Sequence, residues 1–410
     1  MGIWRKWSSW KATRCLLVLV CALLVTAAIA DDNLLRNHSG HYPVGVENPT
    51  NGMANDLLQL PALQSELAAS SLLLDVSRAG SRLVVVGERG HIVFSDDGGE
   101  RWLQAEVPVS VTLTAVSFPL PELGWAVGHD SVVLHTSDAG RTWRLQMDGH
   151  DFSAQMVAAV KRIVEKRRAA LENAPDELRD ELALNLEDAE FFLSDVVASA
   201  TEGAAHPFMD VWFINELEGL LFGAFGMIFR TEDGGETWTA IADHIESAQG
   251  FHYYAAGETA NGALLAVGET GTLIRSADRG RTWRKLESPY PGSLFGLVTD
   301  PRSSCAVGVG LRGNVVRICE EGFVLEALSS LSEEALTGGV VLLDGTMVVV
   351  GMAPMIHVSR DNGRTFQKVP TRFPGCMAVA DIGDGTLLLV GVGGVHKMNF
   401  LMAENSRQQQ

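Results

Sequence analysis

Five aspartates recur in this 410-residue chain at a spacing that could do chemistry. Asp97, Asp138, Asp233, Asp278 and Asp361 each follow a Ser or Thr by two residues and precede a Gly by two. The segments are SDDGGERW (95–102), TSDAGRTW (136–143), TEDGGETW (231–238), SADRGRTW (276–283) and SRDNGRTF (359–366). A carboxylate in such a turn could ligate calcium or serve as a general acid. Catalysis, however, needs carboxylates in unlike environments. Five equivalent copies point to scaffolding instead.

The pattern Ser/Thr-x-Asp-x-Gly-x-Thr-Trp/Phe is an Asp-box, and each position has a mechanical reason. The Asp accepts hydrogen bonds from the turn's own backbone. The fifth position (Gly99, Gly140, Gly235, Gly280, Gly363) permits a positive φ. The last (Trp102, Trp143, Trp238, Trp283, Phe366) supplies a large ring to wedge between sheets.

Other candidate chemistry is sparse. Arg230, Arg275 and Arg317 sit at equivalent positions at or just before a box, so they read as structural or as a basic stripe. There are four Tyr. No Cys/His spacing suggests a metal site, and no cofactor or small-molecule substrate is expected. Cys305, Cys319 and Cys376 lie beyond the leader. If Gly310 pairs with Gly313, Cys305 faces Ile318 and the two nearer thiols point to opposite sides. Small buried residues, rather than a disulfide, are then the favoured reading.

A second landmark counts the elements that carry these turns. Apolar runs end at Gly87, Gly128, Gly223, Gly268, Gly310, Gly351 and Gly391. The steps are close to forty residues, apart from the one between Gly128 and Gly223, and residues 150–205 account for its excess. Such a period, with short apolar strands and one aromatic motif per unit, predicts an all-β fold: a seven-bladed β-propeller of four-stranded antiparallel blades. The unit near Arg317–Val324 has lost its box. The one near Lys397 is cut short, and Leu57–Pro61 is expected to supply its missing outer strand. The propeller is thus assigned to 55–149 and 206–402, with a polar tail at 403–410.

Residues 150–205 break the β pattern. Met156, Val157, Val160, Ile163, Val164 and Leu171 follow helical spacing, as do Leu178, Leu182, Leu186, Ala189, Leu193 and Val196. Pro175 suits the first turn of the second helix. An antiparallel α-hairpin is predicted, held by packing of Val160 and Ile163 on Leu182, Leu186 and Leu193. It should hang from one inter-blade connection, a decorated loop or a docking arm. The first helix is basic (Lys161, Arg162, Lys166, Arg167, Arg168) and the second acidic. Propeller geometry places the hairpin on the face of the turns between second and third strands. Arg89, His129, Phe225 and Arg312 on that face, with the five basic residues, are the candidate partner contacts.

Arg5, Lys6, Lys11 and Arg14 precede the apolar run Leu16–Val25, and Ala28-Ile29-Ala30 precedes Asp31. This predicts a signal peptide over 1–30 cleaved after Ala30, then a linker over 31–54. Lipidation at Cys21 and retention as an anchor are the alternatives. The net charge of −18, which cleavage would make more negative, argues against nucleic acid and anionic membrane faces.

The runs GWAVG (124–128) and GAFGMIFRTEDGGETW (223–238) resemble the photosystem II stability/assembly factor family, Asp-box propellers related to bacterial neuraminidase repeats. The resemblance covers about residues 55–400. It implies a non-enzymatic, exported, periplasmic or lumenal protein that binds subunits of a membrane protein complex during assembly. The hairpin and the weak fifth unit depart from that family's compact pattern. Similar propellers also accompany membrane transport complexes, which gives one alternative. A sialidase-like glycoside hydrolase on the same fold is another, but the Phe/Tyr-Arg-Ile-Pro motif of sialidases is absent.

Overall fold

The structure, a computed structural model, describes residues 56–202, 206–319, 324–373 and 375–400. They fall within one compact unit, 55–410. The leader, its cleavage site, Cys21, the 31–54 linker and the 403–410 tail lie outside the described residues.

Seven antiparallel sheets follow one another along the chain, each with strands in sequence order. The first is β1 (Leu73–Ala79), β2 (Arg82–Gly87), β3 (Ile92–Ser95) and β4 (Leu103–Gln104). The second is β5 (Leu113–Ser117), β6 (Gly124–Gly128), β7 (Val133–Thr136) and β8 (Arg144–Met147). Two helices then intervene, α1 (Gly149–Glu172) and α2 (Arg179–Glu202). The third sheet is β9 (Phe208–Phe213), β10 (Gly219–Gly223), β11 (Ile228–Thr231) and β12 (Thr239–Ala240). The fourth is β13 (Tyr253–Glu258), β14 (Leu264–Gly268), β15 (Leu273–Ser276) and β16 (Arg284–Lys285). The fifth is β17 (Leu294–Thr299), β18 (Cys305–Gly310), β19 (Val315–Cys319) and β20 (Val324–Leu328). The sixth is β21 (Leu336–Val341), β22 (Met347–Gly351), β23 (Met355–Ser359) and β24 (Gln367–Pro370). The last is β25 (Cys376–Gly383), β26 (Thr386–Gly391) and β27 (Gly394–Asn399). Seven sheets with one helical insertion fit seven propeller blades.

Each second strand is buried along all or nearly all of its length, for example at Val84, Val85 and Val86 in β2. A strand covered on both faces by neighbouring sheets reads as a continuous apolar run rather than an alternating one. The first strands pack side by side, β1 on β5, β5 on β9, and so on to β21 on β25, and β25 also packs on β1. Leu73 and Val85 share one apolar cluster with Leu388 and Val390.

The glycine that ends each second strand has a steric cause. A Cβ at Gly268 would lie 2.0 Å from the His252 carbonyl oxygen, and one at Gly128 2.1 Å from that of Thr112. The next amide, Glu269 N or His129 N, donates to the same oxygen. The close approach accompanies a register shift in each first strand, at Leu73/Asp75 and at Tyr253/Ala255 among others.

The boxes form as their residue types dictate. Gly99, Gly140, Gly235, Gly280 and Gly363 have φ between 77° and 83°. Asp138 Oδ1 accepts from the amides of Arg141 and Thr142, and Oδ2 from the Thr142 hydroxyl. The first-position hydroxyl, Thr136 Oγ1, accepts from Gly140 N. Trp283 reaches the adjacent sheet, its ring 5.7 Å from that of Phe222.

Two expectations need correction. Leu57–Pro61 adds no strand to the sheet of β25–β27, which has three strands among the described residues. The segment lies along the link between β4 and β5 instead: Ser110 N donates to Leu57 O, and Ala62 N to Val107 O. That link carries buried Val107, Val109 and Val111, with which Leu58 and Ala62 share one apolar cluster. The second correction concerns register. Gly310 N donates to Asn314 O, so Leu311–Gly313 form a three-residue turn and Cys305 pairs with Cys319. One residue of slip moves both thiols to the same side. They are joined in a disulfide, with Cα atoms 4.1 Å apart.

Candidate partner-binding face

In five of the seven sheets the turn after the second strand has the same build. Its middle residue is non-glycine with positive φ: Arg89 (56°), Asp130 (55°), Phe225 (52°), Thr270 (52°) and Arg312 (55°). Left-handed backbone at a non-glycine residue costs about 1 kcal/mol. The same strained position therefore carries three of the candidate contacts, Arg89, Phe225 and Arg312. Arg89, His129 and Arg312 are exposed, and Phe225 is half-buried.

The hairpin rises from this face. Asp148 caps α1, accepting from His150 N, while Asp151 returns a bond to Asp148 N. Ser131 in the second turn donates to His206 O just after α2. The His206 ring lies 4.3 Å from Phe225, whose own amide donates to His252 Nδ1 at 2.9 Å. Aromatic contacts continue from His252 to Tyr254 and on to Phe295. Phe225 is thereby fixed between the base of the hairpin and the fourth sheet. Between the first two turns lies a cavity of about 490 Å³, lined by Arg89, His91, His129, Asp130 and Leu63. His91 is buried there against Ser71 Oγ (3.0 Å), and burial lowers its pKa.

The hairpin does not hang free. Phe152, Met156, Val160 and Ile163 of α1, with Ala189, Phe192 and Val196 of α2, share one core with Phe208, Phe229 and Trp238 of the third sheet. Gln155 Oε1 accepts from Ala240 N on β12. Packing of Leu186 and Leu193 is as expected, but Leu182 is outside the cluster and Phe192 takes the central place. Phe192 was missed because helical spacing was read from aliphatic residues alone. Its ring fills the space over Gly250, approaching to 2.7 Å of a Cβ placed there.

The basic helix spends most of its charge within the molecule. Arg162 makes a two-pronged pair with Asp243 (2.6 and 2.9 Å). Arg167 donates to the carbonyl oxygens of Asn185 and Ala248, and Arg168 pairs with Glu190. Lys161 and Lys166 stay exposed.

The opposite face, with the boxes, offers little chemistry. Burial alone would raise the Asp361 pKa, but hydrogen bonds from Thr365 and Ser359 outweigh it and hold the carboxyl at about 2. A group so placed carries no proton to donate near neutrality. Two of the repeated arginines brace one sheet against the next box, Arg230 Nε donating to Arg279 O and Arg317 Nε to Asn362 O, and Arg82 Nη1, from a second strand, does the same at Ala139 O. They do not converge on one point.

Two carboxylates escaped the sequence reading. Asp75 on β1 accepts from Val116 N on β5 (2.8 Å), and Asp210 on β9 from Ala256 N on β13 (2.7 Å). Burial pushes Asp75 up to about 7 and Asp210 to about 6. Each ties a first strand to the next sheet through an amide close to a register shift. No motif surrounds them, so only the fold reveals them. Among the described residues no cluster of His, Cys, Asp and Glu could hold a metal ion, and no helix is long and apolar enough to cross a membrane.

Comparison with known proteins agrees with this geometry. The family described as "Photosynthesis system II assembly factor YCF48" matches residues 57–153 and 199–305, leaving out nearly all of the hairpin. A "Photosystem II assembly protein Ycf48" of Synechococcus sp. (strain JA-2-3B'a(2-13)) is 25% identical over 289 residues, 65% of this chain and 78% of that protein. A "Photosystem II assembly lipoprotein Ycf48" of Synechococcus sp. (strain CC9902) is 26% identical over 203 residues, 48% of this chain and 60% of that protein. Among solved structures, "YCF48 bound to D1 peptide" superposes with a TM-score of 0.55 at 17% identity, covering 82% of this chain and 97% of that one. The WD40 β-propeller domain of Doa1 gives 0.55 at 10% identity, covering 83% and 95%. At these identities the superpositions speak for the fold.

Proposed function

For a chain that belongs to the photosystem II assembly factor-like β-propeller family, we propose a non-catalytic scaffold that binds a subunit of a membrane protein complex and helps assemble it. In this reading the seven sheets close into one propeller, with β25 packed on β1. The protein is exported, and its leader is removed or retained as an anchor. The client is a photosystem II subunit, as suggested by the similar structure of YCF48 bound to D1 peptide.

The observation that carries the proposal is the asymmetry of the two faces. On one, the box carboxylates are consumed by their own turns and the bracing arginines by the box of the next sheet. On the other, Arg89, Phe225 and Arg312 are held at strained turn positions, Phe225 of them at the hairpin base. Strain at repeated surface turns is characteristic of binding elements. Asp75 and Asp210 resemble an acid pair in their raised pKa values, and at Asp75 the charge of Asp210 adds to the effect of burial. Both are engaged by backbone amides of neighbouring sheets, which suits bracing better than glycoside hydrolysis.

The experiment is co-purification of the full-length protein with detergent-solubilised photosystem II reaction-centre subunits. Wild type should retain a subunit, and Arg89→Glu with Arg312→Glu should lose it. Recovery of no subunit, together with turnover of a sialoside, would favour the enzyme reading instead.

A further inference from the structure

The outward side of α2 has a composition unusual for a solvated helix. Its inward side is fixed by Ala189, Phe192 and Val196. At 3.6 residues per turn, the opposite stripe holds Asp180, Leu184, Glu187, Asp188 and Phe191. Leu184 is 64% exposed and Phe191 54% exposed. They lie seven residues apart, two turns along the same side. Asp180, Glu187 and Asp188 between and beside them are all exposed. The one cation of α2 is Arg179 at its start, which pairs with Asp176 at 3.4 Å.

We propose that this stripe is a docking surface for a basic amphipathic helical segment of a partner protein. The proposal rests on the scaffold reading above and names the chemistry of one client segment. Two large apolar residues at i and i+7 are the anchors a helix-in-groove contact uses. The carboxylates around them ask for Lys or Arg on the incoming segment. Of the cations on the facing helix, Arg162 pairs with Asp243 and Arg168 with Glu190, and Arg167, bonded to the Asn185 and Ala248 carbonyl oxygens, adds only a charge interaction with Asp188. A second copy is a poor occupant, since two such stripes would bring carboxylates face to face. An anionic lipid surface is disfavoured for the same reason. The matched family segments stop at 153 and resume at 199, so the stripe is an addition to what the family shares.

The test uses the full chain and a fluorescent synthetic Leu/Lys peptide with Leu at helical spacing. A scrambled peptide of the same composition and a Leu/Glu analogue serve as controls. Wild type should bind the amphipathic peptide, with affinity falling as salt rises. Leu184→Glu with Phe191→Glu should weaken binding by roughly tenfold or more, while Leu184→Met with Phe191→Leu should retain it. Hydrogen exchange should slow in 180–195 on binding. The proposal is overturned if the double Glu variant binds as wild type, or if the scrambled peptide binds equally well. Protection that maps outside α2, or a wild-type dimer with the stripe buried, overturns it too. In each case the reaction-centre co-purification can still succeed through Arg89 and Arg312, so the two readings fail separately.

Discussion

Asp75 and Asp210 show how single residues brace the sheets at a cost that depends on pH. A carboxyl whose folded pKa is raised holds its proton more tightly folded than unfolded. Stability then falls as pH rises from the unfolded value near 4 toward the folded value of about 7 for Asp75 and about 6 for Asp210. Asp75→Asn keeps an acceptor for Val116 N without the charge. It should therefore raise Tm relative to wild type at pH 8 and do so much less at pH 4.5. Equal shifts at both pH values would show that burial does not govern this carboxyl. The strained turn residues make a second prediction. Arg89→Gly and Arg312→Gly relieve left-handed backbone but add chain entropy, so stability should stay within about 0.5 kcal/mol while partner affinity falls. Gly268→Ala is the contrast. Its Cβ would meet the His252 carbonyl at 2.0 Å, and a loss of about 1–3 kcal/mol or more should follow, read by denaturant unfolding.

At the scale of elements, the hairpin and the fifth sheet depart most from the sequence reading. The helices were legible from aliphatic spacing and from Pro175. What they pack against was not, because Phe192, Phe152 and Trp238 come from segments far apart in sequence. Leu182 lies outside the shared core, so Leu182→Asp should cost little. Phe192→Ala should lose about 3–5 kcal/mol, as buried aromatic truncations do. Its effect should reach the third sheet, visible as faster hydrogen exchange in β12 as well as in α2. Confinement of the change to the hairpin would restore the picture of a free arm. In the fifth sheet, Cys319 pairs across from Cys305, as box residues Thr136, Thr231 and Ser359 pair across from Gly124, Gly219 and Met347. The disulfide thus stands where the other sheets use a hydroxyl to begin the box. Reduction, or Cys305→Ala with Cys319→Ala, should destabilise by about 2–4 kcal/mol, measured by thermal unfolding with and without reductant. The sequence concealed this pair because a turn one residue longer than assumed shifts one strand against the other and brings the two thiols to the same side.

Across the whole molecule, the forty-residue period and the boxes were enough to anticipate seven sheets and one insertion. A repeat constrains every copy at once, so errors at one site do not propagate. The N-terminal segment obeyed no repeat, and its placement beside Val107 and Ser110 depended on apolar surface that only the assembled sheets create. The proposed contact face was legible as one side of the sheets rather than as particular residues. The turns with Arg89, His129, Phe225 and Arg312 do share the hairpin's side, but Arg162, Arg167 and Arg168 are absorbed by internal pairs. The most direct test of the scaffold account is site-specific photo-crosslinking to solubilised reaction-centre subunits. The photoreactive group is placed singly at Arg89 and Arg312 on the hairpin side, and at Arg141 and Glu236 on the box side. Adducts from 89 and 312 with none from 141 and 236 are the predicted result. Adducts only from the box side, or from neither, would contradict the account.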